Sequence, residues 1–444
     1  MMIERELMKC KFSKFNYVEK LEDGSLLVFN TSSKNKVIIT DNSAIFAFMK
    51  NDPSFLSLEQ FNYLENKKFI VPLDWKEQQI VKTEFNRWVY SEDVLHLTII
   101  PTDACNFRCV YCYETEETHF MNQETADSII KYILRNIRRY KVVSIGWFGG
   151  EPLLASDIVL YFMSELSTIC KRESVLLTSN MTTNGYLLTG EMFKQLCSFG
   201  VRFFQITIDG TEALHNRQRP HKTNSDSFSR IVSNLLAIKH MFPTMRYEIG
   251  IRINISQEMQ PYRDDILDWF ESTFNRHKSF TLIFEWIRDW GGNVRKDLLT
   301  TANVCSSWIQ EANRRNIKCA DMLSNNCGLE FCEACKYNSF LVNYNGSLSK
   351  CTIALYDDKF KDLNEVGFID PKGKAYLDKS KVAQWIGLGD EREACNQCVE
   401  YPLCMGVNCP FATRIRNEEQ CLPIKELIPF YLRNMAQISN WPKI

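Results

Sequence analysis

The chain has 444 residues, 45% hydrophobic and 24% charged, which suffices to bury a full core and is too long for one small domain. Its 53 basic and 54 acidic residues leave a net charge of −1, so nothing draws it in bulk to nucleic acid or an anionic membrane. The opening MMIERELMKCKF is charged where a signal peptide needs an apolar stretch, and no run of about 18 apolar residues occurs. The expectation is a cytoplasmic protein with no nucleic-acid or membrane partner.

Residues 1–90 read as a small leading module of strands followed by helices. KFNYVEKL, a turn at Asp23-Gly24 and SLLVFN predict a hairpin, and KNKVIIT predicts a third strand. Asp41 is placed to cap a helix through AIFAFMK, and Ser57 to cap SLEQFNYLENKKFI, with Pro72 beyond its end. EQQIVKTEFNRWVYSED reads as a link to the next domain. Residues 91–318 alternate. Strands are predicted at LHLTII, VVSIGWF, VLLTSNMTT, RFFQITI, YEIGIRINI and FTLIFEWI, separated by helices at SIIKYILRNIRRY, VLYFMSELSTIC, EMFKQLCSF, FSRIVSNLLAIKHM and ILDWFESTF. Such repeats imply a parallel sheet covered on both faces and curled into a partial or full barrel, with its chemistry at the C-terminal strand ends. Cys105, Gly149-Gly150-Glu151, Asn184-Gly185 and Asp209-Gly210 all follow strands directly. Across 319–444 periodicity weakens and cysteines become dense, which predicts a loop-rich domain held by metal clusters and closed by a helix through IKELIPFYLRNMAQI.

The 17 cysteines are clustered: Cys105, Cys109 and Cys112 lie on one loop, and eleven fall between Cys305 and Cys421. In a reducing compartment this points to ligation rather than disulfides. The C-x3-C-x2-C spacing in DACNFRCVYCYE lets three thiolates hold three irons of a 4Fe-4S cubane and leave the fourth open. Zinc, which wants four ligands or three plus water, and buried apolar cysteines are the alternatives. CNFRCVYC, with Tyr111 before the last cysteine, and WFGGEP at 147–152 together resemble the radical S-adenosylmethionine (SAM) superfamily. The resemblance implies that the open iron is chelated by SAM and that Gly149, Gly150, Glu151 and Pro152 hold its amino group. Glycine permits close backbone approach, Glu151 offers an acceptor and Pro152 fixes the turn. Asn184 in TTNG, and Arg252 and Asn254 on the fifth strand, are the implied contacts to the sugar and carboxylate of SAM. For Asn184-Gly185 and Asp209-Gly210 the alternative is turn chemistry, and for Arg252 it is buried polar pairing.

The C-terminal cysteines resemble the SPASM domain, an auxiliary-cluster extension of radical SAM peptide-modifying enzymes. Gly346 and Cys351 satisfy G-x4-C, Cys395, Cys398 and Cys404 satisfy C-x2-C-x5-C, and Cys409 and Cys421 complete the set. The four-residue gap between Cys404 and Cys409 departs from the common three. The resemblance implies one cubane on Cys395, Cys398, Cys404 and Cys421. The other takes Cys351, Cys409 and two of Cys319, Cys327, Cys332 and Cys335, with Cys327 and Cys332 favoured and Cys335 a rival; zinc ribbons are the alternative. Cys170 and Cys197 read as core.

The expected fold is thus α/β: a partial (β/α)6 radical SAM barrel, an N-terminal winged-helix-like module that reads a leader peptide by adding it to a sheet edge, and a C-terminal SPASM domain. Expected cofactors are SAM and three 4Fe-4S clusters. Expected partners are a precursor peptide with a leader and a small electron donor, a flavodoxin or ferredoxin. The implied activity is a ribosomal-peptide maturase whose 5′-deoxyadenosyl radical abstracts hydrogen and so installs a crosslink, with a Cys thioether favoured over C–C crosslinking. The alternatives are an anaerobic sulfatase-maturing enzyme, for which Asp209 is the candidate proton acceptor, and a non-catalytic metal scaffold.

Overall fold

The computed structural model describes residues 9–444 except 116, 276, 291–293, 321–330, 390–391, 419–420, 422–424, 426–427 and 439–440. The chain packs as two compact units, one of residues 1–89, 321–332 and 387–444, the other of 90–320 and 333–386.

In the first unit, β1 (Cys10–Phe12) leads into a three-stranded antiparallel sheet of β2 (Asn16–Lys20), β3 (Leu26–Asn30) and β4 (Lys36–Ile39), ordered β2-β3-β4. The Asp23-Gly24 turn forms as its sequence predicts: Gly24 takes φ +87°, and Asp23 Oδ1 accepts from Ser25 N at 3.0 Å. Asp41 caps the helix Asn42–Lys50, accepting from Ser43 N and Ala44 N, and Ser57 and Gln60 form a capping box on Leu58–Asn66. That second helix stops earlier than predicted. Lys68 turns left-handed (φ +65°), and β5 (Ile70–Pro72) pairs antiparallel with β1, so Pro72 sits in a strand. The predicted link is itself a helix, Glu77–Tyr90, with Phe85 and Val89 buried. Apolar residues at 80, 81, 85, 88 and 89 recur at helical spacing, which explains it.

All six predicted strands of the second unit are present: β6 (Val94–Ile99), β7 (Val142–Trp147), β8 (Leu176–Thr183), β9 (Val201–Thr207), β10 (Glu248–Ile255) and β11 (Phe280–Trp286). They pair in parallel, each with its sequence neighbour. The helices Gln123–Asn136, Ser156–Arg172, Gly190–Ser198, Ser227–Met241 and Arg263–Thr273 follow the first five of these strands. The stretch Pro152–Arg172 is long and apolar enough, by length and composition, to cross a membrane. It is a crossover of the barrel, with Val159, Phe162, Met163 and Leu166 buried.

The expected boundary at 318/319 does not describe the packing. β12 (Ser339–Val342) adds parallel to the outer edge of β6, and β13 (Ser347–Ser349), β14 (Glu365–Ile369) and β15 (Ala375–Leu377) continue antiparallel into a ten-stranded sheet. The cause is physical. The N–H and C=O groups along that edge of β6 need partners, and the fully buried run SFLV supplies them. The opposite end of the sheet remains at β11, so the barrel is partial.

Candidate functional site

The cysteine loop starts where β6 ends and is tied down at both sides. On one side, Thr102 Oγ1 donates to His119 O at 2.6 Å, and Met121 N donates to Pro101 O at 2.8 Å. On the other, Arg108 N donates to Pro220 O, Val110 N to Gln218 O and Lys222 N to Asn106 O, all between 2.8 and 3.0 Å. Within the loop, Cys112 N donates to Cys109 O at 3.1 Å and Phe107 N approaches Cys105 Sγ at 3.4 Å. All three cysteines line one cavity of about 570 Å³ at the C-terminal ends of the strands. Burial pushes the Cys105 thiol up to about 12, aided by Glu151 and then Cys109, and the Cys112 thiol likewise, aided by Glu114, Cys109 and Cys105. Bare, these thiols keep their protons at neutral pH, so a cation that binds them displaces protons.

The Gly149-Gly150 edge lies against this loop. A Cβ on Gly149 would stand 2.6 Å from Thr102 O, and one on Gly150 would stand 2.3 Å from Ala104 O, so only glycine lets the two backbones meet. Both glycines line the cavity. Glu151 corrects the expectation that its carboxylate faces a ligand. It is fully buried and accepts from Leu153 N (3.0 Å), Thr183 Oγ1 (2.7 Å) and Asn184 N (2.7 Å), which joins the end of β7 to the end of β8. Pro152 opens the turn behind it and is likewise not among the lining residues.

Asp209 calls for a second correction. It is 0% exposed, accepts from Tyr111 Oη and from Asn254 N (2.7 Å), and lies 3.9 Å from Arg219 Nη1. A carboxylate so enclosed is not a base facing a substrate; it positions its neighbours. Tyr111 Oη also receives Arg219 Nη1 at 2.7 Å and Asn254 Nδ2 at 3.1 Å, and Arg252 Nε donates to Asn254 Oδ1 at 2.8 Å. Asn184, Arg252 and Asn254 do line the cavity. Asn184 Nδ2 also donates to Asn106 Oδ1 at 2.7 Å, so turn and site roles coincide there.

The structure adds residues that the sequence reading missed. Gln205 and Thr207 face the cavity beside Arg252, in register across β9 and β10 (Gly250 opposite Gln205, Arg252 opposite Thr207). The period-2 alternation of RFFQIT could have flagged them. Trp286, Arg288 and Trp290 wall another side, the Arg288 guanidinium lying 4.2 and 4.6 Å from the two indole rings. Arg219 is 7% exposed, lines the cavity and carries a buried Nε with no hydrogen-bond partner. Its segment HNRQRPH carries no motif that would single it out. Arg219→Met leaves Asp209 buried without its counter-charge. The expected loss is about 3–5 kcal/mol of stability, seen as a lower denaturation midpoint that Arg219→Lys partly restores.

This donor set fits an iron–sulfur cubane with one open corner: three thiols reach the cavity from one loop, and no fourth cysteine is among its described lining residues. A volume of about 570 Å³ suits a nucleoside-sized ligand beside it.

The C-terminal cysteines divide. Cys395, Cys398, Cys404 and Cys421 all lie in the first unit. Burial pushes the Cys404 thiol up to about 11, with Cys398, Cys395 and Cys421 each adding to it, so these thiols share one neighbourhood. Donors converge on them: Arg392 Nη2 on Cys421 Sγ (3.2 Å), Lys425 Nζ on Cys398 Sγ (3.6 Å) and Gly406 N on Cys404 Sγ (3.3 Å). Thiolate clusters are stabilised by such N–H groups. For the other expected set, Cys327 lies outside the described residues, Cys332 and Cys409 belong to the first unit, and Cys351 belongs to the second. The G-x4-C spacing is that of a hairpin: Gly346 takes φ +84° at the turn, β13 follows, and Cys351 comes just after. The rival Cys335 is fully buried, and Lys350 Nζ beside Cys351 donates to Lys336 O beside Cys335 at 2.6 Å. Cys319 bridges by its backbone to Leu282 of β11, and its Sγ donates to Asn313 Oδ1 at 3.1 Å. Cys170 and Cys197 are buried, as expected of core residues.

Residues 99–258 match the sequence profile of the Radical SAM superfamily. The cysteine-type anaerobic sulfatase-maturating enzyme of Clostridium perfringens (strain ATCC 13124) is 22% identical over 383 residues, 78% of this chain and 98% of that enzyme. A GTP 3′,8-cyclase of Clostridium perfringens (strain SM101) is 31% identical over 123 residues, 27% of this chain and 36% of that one. Among solved structures, native anSMEcpe with bound AdoMet and Cp18Cys peptide superposes with a TM-score of 0.58 at 17% identity, over 78% of this chain and 99% of that one. This likeness establishes the shared fold.

Proposed function

We propose, proceeding from the radical SAM domain that this chain carries over residues 99–258, that it is a radical peptide maturase. One observation carries the reading: Cys105, Cys109, Cys112, the Gly149-Gly150 edge, Asn184, Arg252 and Asn254 meet in a single cavity. Near-full-length alignment with a sulfatase-maturating enzyme supports a peptide as substrate.

Cys105, Cys109 and Cys112 would hold a 4Fe-4S cluster and leave one iron for SAM. When bound, these groups supply one-electron cleavage of SAM to methionine and a 5′-deoxyadenosyl radical that takes hydrogen from an unactivated C–H. The chain's residues position and shield. The Asp209–Tyr111–Arg219–Asn254 network fixes the wall beside Cys109, while Phe107, Phe148, Trp286 and Trp290 supply apolar walls that exclude water. Cys395, Cys398, Cys404 and Cys421 would hold one auxiliary cluster. That cluster would accept the electron left after bond formation or ligate a substrate thiol. A flavodoxin or ferredoxin would deliver the first electron, and residues 1–90 would read the leader.

The product we favour is a Cys thioether crosslink. Formylglycine formation needs a proton acceptor at the substrate, and Asp209, the residue considered for that role, is enclosed and spent on Tyr111 and Asn254. Anaerobic co-expression with the precursor peptide and mass spectrometry test this. Loss of two hydrogens per crosslink is expected; a Cys-to-aldehyde change would assign the chain to sulfatase maturation instead. Cys398→Ala is expected to spare SAM cleavage and lose modified peptide; if product forms at the normal rate, the auxiliary role is wrong.

A further inference from the structure

Three of the four arginines that line the cavity brace the wall beside the cysteine loop. Arg219 meets Tyr111 Oη and Asp209, Arg252 Nε meets Asn254 Oδ1, and Arg108 Nη1 donates to Phe107 O at 3.1 Å. Arg288 stands elsewhere. Arg252 pairs in register with Ile283, and Trp286 closes β11 three residues later, opposite Ile255. About 10 Å of strand therefore separates the level of Arg252 from that of Trp286, and Arg288 comes farther on. SAM brings a single carboxylate, for which Arg252 and Asn254 are the implied contacts. That leaves Arg288 to whatever shares the cavity with SAM.

Arg288 is also held in place before any ligand arrives. Its backbone neighbour is pinned on both sides: Ile287 N–H donates to Ile255 O at 3.3 Å, and Thr300 N–H donates to Ile287 O at 3.1 Å. The guanidinium lies over the Trp286 and Trp290 rings, 4.2 and 4.6 Å from their centres, and Nη2 is 3.5 Å from Glu285 Oε2. Contacts over a ring use the face of a guanidinium, while its N–H edge is what grips a carboxylate. Five N–H donors let one group serve Glu285 and a ligand together. The side chain is 30% exposed, so a solute in the cavity reaches it. A cation whose place is already fixed loses little entropy on binding, and apolar walls strengthen the attraction by keeping water away.

We propose that Arg288, seated on Trp286 and Trp290, is a specificity-determining residue that receives a carboxylate of the peptide substrate. The carboxylate is that of an aspartate or glutamate side chain close to the modified residue, or that of the peptide's own C-terminus. This deepens the maturase reading and rests on it. The indoles hold the guanidinium, and the gripped carboxylate then selects which C–H of the peptide is brought to the SAM end of the cavity. A neutral residue at that place in the peptide leaves the charged edge without its match, so it is rejected as well as less attracted.

The test reads discrimination between ligands, not turnover. The reconstituted holoenzyme, saturated with SAM, is titrated by anaerobic calorimetry with two pairs of synthetic peptides. One pair is N-acetyl-Cys-Ala-Asp-Ala-amide and its asparagine counterpart; the other is N-acetyl-Cys-Ala-Ala-Ala with a free C-terminus and with an amide. The wild-type chain is expected to bind the charged member of one pair at least about 10-fold more tightly than the uncharged member. Which pair shows the preference says which carboxylate is read. Arg288→Gln should abolish the preference, and Arg288→Lys, which keeps the charge and loses the planar fork, should fall between. The SAM-free holoenzyme and both variants are also titrated with SAM and with decarboxylated SAM. The ratio of those two affinities should not move; its collapse in Arg288→Gln assigns the residue to the carboxylate of SAM and overturns the proposal. Equal binding of charged and uncharged peptides by the wild-type chain, a comparison that needs no variant to fold, overturns it too, as does binding of none of the four. Should the preference hold while the enzyme modifies no peptide, the maturase reading fails and the carboxylate seat stands. Should peptide be modified with no preference for charge, the maturase reading stands and the seat fails.

Discussion

Cys109→Ala will abolish production of 5′-deoxyadenosine from SAM under reducing, anaerobic conditions. The other two loop thiols remain, but two ligands cannot hold a cubane whose third site is gone. Cys109 is the middle thiol: it helps to raise both Cys105 and Cys112, and Arg219 lies beside it. The expected fall is to the uncatalysed background, about 10⁶-fold or more, for Cys105→Ala and Cys112→Ala as well. Iron should drop by one cluster while the Cys395–Cys398–Cys404–Cys421 set keeps its own. Full reductive cleavage by any of the three variants would remove the basis of the proposed chemistry. So would zinc alone at this loop after anaerobic reconstitution.

The second large effect is expected at a residue without a side chain. In Gly150→Ala the new Cβ meets Ala104 O at 2.3 Å, Ala104 C at 2.6 Å and Asp103 O at 2.6 Å. These are backbone atoms, held by Glu151 N donating to Ala104 O at 2.8 Å and by Ala104 N on Thr102 Oγ1 at 3.0 Å, so they cannot swing aside as a side-chain tip would. Overpacking of this kind costs about 1–3 kcal/mol. The relief it forces moves the residue just before Cys105. A shift of about 1 Å in a reacting group can cost 10²-fold, so SAM cleavage should fall about 100-fold while the chain stays folded by circular dichroism. Normal cleavage by this variant would show that the glycine edge does not set the position of the cysteine loop.

Much of this was legible because each signal is local. The barrel strands read clearly from sequence since their apolar residues alternate, as in YEIGIRINI, or run nearly unbroken, as in FTLIFEWI, and the helices between them repeat at 3.6 residues. Asp41 and Ser57 announced their helices because a cap is set by its own first turn. The cysteine loop was legible because its three thiols, Cys105, Cys109 and Cys112, stand so close together in the chain. That the link 77–90 is itself a helix was less legible, because its polar residues mask an apolar stripe.

Other features depended on partners distant in sequence. SFLV became the barrel's seventh parallel strand because β6 had an edge to fill, and no feature of 339–342 names β6 as its neighbour. Glu151 and Asp209 stand at strand ends where ligands are expected, yet each is enclosed: the first by the β8 turn, the second by Tyr111, Arg219 and Asn254. Arg219 is the converse. It becomes a buried cation only when the 218–222 segment is stapled to the cysteine loop. Spacing alone thus determined which thiols and glycines line one cavity, because such neighbours are written in short intervals of chain. Which carboxylates face the cavity and which only brace it, and which strand closes which edge, was decided by tertiary structure, because burial and backbone pairing depend on what the rest of the fold brings alongside.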